Sequence, residues 1–97
     1  MAKRGVKKRK FRDDFGVFVC PHVLAGATVL KVVRDQEGDW QFSCGDEAAD
    51  EGVDLQLVAV GDLIANDISL ADSVELGLGQ GIERSAHYKE WDAFEIE

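Results

Sequence analysis

Two apolar segments separated by a five-residue turn occupy the middle of the chain, and their chemistry fixes its class. Ala27-Thr-Val-Leu-Lys-Val-Val-Arg34 is rich in β-branched side chains, which fit the pleated surface of a strand better than the crowded surface of a helix. Asp35-Gln-Glu-Gly-Asp39 supplies turn residues, and Trp40-Gln-Phe-Ser-Cys44 follows with strict alternation. Side chains of a strand point to opposite faces in turn, so Trp40, Phe42 and Cys44 share one face and Gln41 and Ser43 the other. The pattern predicts a hairpin with one buried face.

The remaining segments extend the same theme. Phe15-Gly-Val-Phe-Val-Cys20 reads as a short buried strand stopped by Pro21. The proline ring holds Cys20 extended and removes a backbone donor, which predicts a strand end or a sheet edge. Asp54-Leu-Gln-Leu-Val-Ala-Val60 is a further strand, with Leu55, Leu57 and Ala59 on one face. Beyond Gly61 the period changes: Leu63, Ile64, Leu70, Ala71, Val74 and Leu78 recur at helical spacing. This predicts a helical turn over 62–66 and a helix over 69–76, with Ser69 and Asp72 placed like the ends of a capping box. Gly77-Leu-Gly-Gln-Gly81 ends that helix, and 82–84 and 91–96 each supply a strand. The expected fold is α+β, an antiparallel sheet of four to six strands with one or two short helices packed on one face.

Charge divides the chain sharply. Its 97 residues, enough for one domain, carry a net charge of −8. Lys3, Arg4, Lys7, Lys8, Arg9, Lys10 and Arg12 precede any acidic residue, which leaves four basic residues against nineteen acidic ones in the rest. Like charge without apolar periodicity predicts a basic disordered tail over 1–13, followed by a single globular domain over 14–97. No apolar run approaches the roughly 20 residues that span a bilayer, and Phe11-Arg12-Asp13-Asp14 stands where a signal peptide has its apolar stretch. The expectation is a cytoplasmic chain without membrane contact.

The candidate chemistry falls into three groups. Asp46, Glu47, Asp50, Glu51 and Asp54 are five carboxylates in nine residues, a surface suited to a lysine- and arginine-rich protein partner. The basic tail suits weak, salt-sensitive, sequence-blind contact with nucleic acid, although the acidic body opposes it. Cys20, His22 and Cys44, with His87 beyond them, are ligand types for zinc. Structural zinc sites usually show two close pairs, and here only Cys20-Pro-His22 is close, so spacing assigns no metal and no cofactor, and a small metal- or thiol-dependent protein using Cys20, His22 and Cys44 stays an alternative. Asp35–Asp39 differs from a calcium loop in its glycine position and reads as a turn. No nucleophile elbow or phosphate loop is present, and Gly77-x-Gly-x-Gly81 follows a helix rather than opening one. The residues therefore predict a non-enzymatic domain that acts by binding.

Phe18-x-Cys20-x-His22-Val23, then Gly38-Asp-Trp-Gln-Phe-Ser-Cys-Gly-Asp46, then Leu63-Ile-x-x-Asp67-x-Ser-Leu70, then Gly81, Arg84 and Trp91 follow one another in order. Over residues 16–97 this resembles the small bacterial domains grouped with the immunity protein 33 class of polymorphic-toxin systems. The resemblance implies a protein that neutralises a cognate toxin by binding it, which agrees with the acidic loop. The chain departs from that pattern at Asp67-Ile-Ser-Leu, where the family often has Pro, and at Gln56-Leu57-Val58, where it has a His-Val pair; the second departure weighs against a histidine-based metal site.

Overall fold

Strand alternation is realised in the computed structural model, which describes residues 9–46, 52 and 54–96. Strands β1 Gly16–Val19, β2 Lys31–Arg34, β3 Trp40–Ser43, β4 Gln56–Ala59, β5 Gln80–Glu83 and β6 Asp92–Glu95 form one sheet in the order β4-β1-β3-β2-β5-β6. Helix α1 is Pro21–Leu24, α2 is Val60–Asn66, and a 3₁₀ helix runs Ile68–Glu75. The α+β class and the hairpin of β2 and β3 agree with the sequence patterning. Val32 pairs with Phe42 across that hairpin, and Asp35 closes its turn by accepting hydrogen bonds from the Glu37 and Asp39 N–H groups on Oδ1.

One pairing departs from the expected antiparallel sheet. β1 and β3 run parallel, with Val19 opposite Phe42, while every other neighbouring pair is antiparallel. Pro21 explains why β1 makes no hairpin with the next strand. Its missing N–H is no loss at the first turn of a helix, so it opens α1 rather than marking a sheet edge. The chain then reaches β2 on the far side, and β3 returns into the slot beside β1, running in the same direction. β1 is an inner strand, bonded on its other side to β4.

Val17, Val19, Val32, Trp40 and Phe42 project from one sheet face and pack with Val60 and Leu63 of α2 and Leu70 of the 3₁₀ helix. Pairing of Val17 with Val58 turns Val58 to this core. The Leu55–Leu57–Ala59 face of β4 is consequently turned away, and Leu57, opposite Phe18, is 67% exposed. Phe11, which charge patterning leaves in the tail, packs against the core, with its ring 5.2 Å from that of Trp40 in an edge-on contact.

Two arginine–tryptophan pairs clamp the 3₁₀ helix onto the sheet. The Trp40 indole N–H donates to the Ser73 carbonyl at 2.7 Å, and that of Trp91 donates to the Ser69 carbonyl at 3.3 Å. The Arg34 guanidinium lies 4.4 Å from the Trp40 ring and donates to the Leu76 carbonyl, while that of Arg84 lies 4.0 Å from the Trp91 ring. The Ser73 hydroxyl also donates to the Leu70 carbonyl. Side-chain donors thus occupy the Ser69 and Leu70 carbonyls, which a regular α-helix over 69–76 would use internally, and this favours the tighter 3₁₀ path. Its cap is Asp67 rather than Ser69: the carboxylate accepts from both the N–H and the hydroxyl of Ser69.

Arg84 anchors the whole arrangement. Its side chain is 1% exposed, donates twice to the Val29 carbonyl and once to the His87 carbonyl, and pairs with Asp67 at 3.0 Å. Removing one partner of a buried ion pair leaves the other charge uncompensated, at a cost of about 3–5 kcal/mol. Arg84→Ala is expected to lose that much in urea unfolding, and Arg84→Lys to recover only part of it because an ammonium lacks the planar fork. Parent-like stability in Arg84→Ala would contradict the anchoring role.

Candidate metal centre

The parallel pairing decides what lies at one edge of the sheet. Cys20 directly follows β1 and Cys44 directly follows β3, so two parallel neighbours deliver both thiols to the same end. Antiparallel neighbours of four residues would hold them about 13 Å apart. The Cys20 N–H donates to the Phe42 carbonyl at 3.1 Å and locks the two strand ends together. Proline at the next position keeps Cys20 extended, at φ −72° and ψ 149°, and starts the turn of α1 that carries His22. The Cys20 carbonyl accepts from Val23 N–H, and the His22 carbonyl accepts from Ala27 N–H at 2.9 Å. Beyond Cys44 the chain turns at Gly45, whose φ of +81° suits glycine.

The outcome is a cluster of three soft or borderline donors. Cys20 Sγ, an imidazole nitrogen of His22 and Cys44 Sγ all lie within 4.8 Å of one another. Both cysteines are thiols. Cys20 is fully buried, Cys44 half-buried and His22 exposed, so the cluster reaches from the interior to the surface. Around a tetrahedral zinc ion, sulfurs stand about 3.8 Å apart and sulfur and nitrogen about 3.5 Å apart. A mutual separation within 4.8 Å is about 1 Å wider than those spacings, within the range of side-chain rotation. The sequence reading rested on spacing along the chain, and Cys44 joins the close pair only in space. His87 is not part of this group.

A second carboxylate cluster, Asp35, Glu37 and Asp39, also has mutually close oxygens. Asp35 is committed to the hairpin turn, its Oδ2 accepting from the Gln41 amide as well. The turn reading stands.

The acidic segment starts and finishes at the same sheet edge as the thiols. Asp46 follows Cys44 by two residues, and Asp54 precedes β4, whose Gln56 pairs with Val19. Both carboxylates are exposed, while Glu47, Asp50 and Glu51 lie outside the described residues. Of the basic tail, Lys3, Arg4, Lys7 and Lys8 lie outside them as well; Arg9 and Lys10 are exposed, and Arg12 pairs with Asp14 at 3.3 Å on the surface.

A cavity of about 430 Å³ that sequence patterning does not reveal lies beside α1 and α2, walled by Val23, Leu63, Leu70, Asp67 and His87. His87 Nε2 stands 3.5 Å from Asp67 Oδ1 at its mouth. The capping pattern points to Ser69 and Asp72 rather than to Asp67, and nothing local marks Arg84 as the partner of Asp67. The chain matches no family model, no curated protein and no solved structure.

Burial alone would raise the Asp67 carboxyl, but hydrogen bonds from Ser69 and Arg84, with the Arg84 charge, outweigh it and hold the group below its ordinary value. A depressed carboxylate contributes stability that is complete above the unfolded pKa, about 3.9 for Asp, and is lost as pH falls through the lower folded value. Asp67→Asn is therefore expected to be less stable than the parent at neutral pH, with the gap closing below about pH 4. Urea unfolding across that range reads it, and a gap independent of pH would contradict the assignment.

Proposed function

We propose that the domain binds a soft divalent metal ion, zinc by preference, through the thiolates of Cys20 and Cys44 and the imidazole of His22. The observation that carries this reading is the convergence of the three donor atoms within 4.8 Å at the end of the β1–β3 pair. Thiolate and imidazole donors select zinc over magnesium or calcium, which take oxygen ligands. An ion there joins the end of β1, the first turn of α1 and the end of β3, so its occupancy reinforces the one parallel contact in the sheet.

Binding to the folded state alone stabilises it by about 2.7 kcal/mol at a free concentration a hundredfold above Kd. For a domain of this size that is a rise in Tm of about 10–20 °C. Zinc titration of the full reduced chain, read by elemental analysis and thermal unfolding, is expected to give one ion per chain and this rise. Cys20→Ala, His22→Ala and Cys44→Ala should each lose the response. A melting temperature indifferent to zinc and to chelator would sink the reading.

A second reading is a protein-binding surface for a basic partner, such as a toxin, formed by Asp46, Glu47, Asp50, Glu51 and Asp54. It is supported by the exposure of Asp46 and Asp54 and by the acidic excess of the chain beyond its tail. With a lysine-rich peptide as probe, association should slow when salt is added and when Asp46, Glu47, Asp50 and Glu51 are changed to Lys. Association rates unmoved by both changes would remove this role.

A further inference from the structure

Two thiols in mutual reach at a sheet edge have chemistry of their own. Cys20 is fully buried, as are Val17, Val19 and Phe42. Packing explains one small buried thiol. It does not call for a second sulfur and an imidazole beside it.

We propose that Cys20 and Cys44 form a peroxide-responsive dithiol, whose oxidation to a disulfide expels the ion. The ion-release half rests on the metal reading above, while the dithiol half does not. The two Sγ atoms lie within 4.8 Å, and a disulfide bond is about 2.05 Å long, so closure needs side-chain rotation and little backbone movement. The Cys20 N–H bond to the Phe42 carbonyl already holds the two strand ends side by side.

Exposure sets the order of events. Cys44 is half-buried and Cys20 is fully buried, so Cys44 meets the oxidant first. The Cys44 thiolate attacks one oxygen of hydrogen peroxide; an S–O bond forms, the O–O bond breaks, and hydroxide leaves to take up a proton. Cys44 is then a sulfenic acid. The Cys20 thiolate attacks the Cys44 sulfur, the S–S bond forms, the S–O bond breaks and a second hydroxide leaves and is protonated to water. In sum two thiols and one peroxide give one disulfide and two waters. The disulfide consumes both thiolate ligands, and a single exposed imidazole does not hold the ion. A dithiol reductant reverses the change.

Intact-mass analysis of the full chain, with and without zinc, tests the proposal. Metal-free reduced protein treated with hydrogen peroxide is expected to lose about 2 Da, the two thiol hydrogens. Peptide mapping should join the Cys20 and Cys44 peptides, and reductant should restore the starting mass. Zinc-loaded protein should release one ion per disulfide, followed with a chromogenic chelator. Cys44→Ser and Cys20→Ser should each fail to form the cross-link while remaining folded by circular dichroism. A disulfide in a chain that takes up no zinc when titrated with it would uphold the dithiol and refute the metal reading. Zinc retained after the disulfide has formed would overturn the coupling. Peroxide that adds oxygen to Cys44 without joining it to Cys20 would overturn the dithiol itself.

Discussion

The hydrogen bond from Cys20 N–H to the Phe42 carbonyl closes the single parallel pairing in the sheet, and the candidate site exists because of it. Parallel neighbours bring their C-terminal ends together, so the residues that leave β1 and β3 leave from the same place. Both residues are cysteines. Pro21 then starts a helix in place of a hairpin, which lifts His22 over the same edge. The register of two four-residue strands thereby brings together in space residues that lie 24 positions apart in the chain.

This also explains what the sequence could and could not disclose. The β2–β3 hairpin was legible because its turn residues and its alternation are local, and Trp40 and Phe42 are buried as their shared face requires. The parallel pair was not legible, since nothing near Phe18 specifies Gln41 as its partner. With all pairs taken as antiparallel, Cys20 and Cys44 fall at opposite ends of their strands, and the three ligand types look scattered. The β4 face was ambiguous for a similar reason. Leu55 and Leu57 suggest one buried side, but the pairing of Val17 with Val58 selects the other.

Arginine chemistry accounts for the rest of the architecture. Arg34 and Arg84 each lie over a tryptophan whose indole N–H binds a carbonyl of the 3₁₀ helix. Planar guanidinium groups are suited to this because they stack and donate at the same time. Arg84 is buried with its charge met by Asp67, and its two bonds to Val29 tie β5 to the strand-leading segment before β2. A periodicity reading treats such arginines as solvated surface, so the anchor emerges only when Ile82 and Arg84 are seen to follow one another on the core side of β5. The clamps draw on residues in and beside β2, β3, β5 and β6, whereas the paired thiols follow from the parallel register of β1 and β3.

X-ray absorption at the zinc edge of the zinc-loaded protein reads the ligand set itself. Two sulfur neighbours at about 2.3 Å and an imidazole nitrogen at about 2.0 Å are expected. A first shell made only of oxygen and nitrogen would place the ion elsewhere and contradict a centre formed by Cys20, His22 and Cys44.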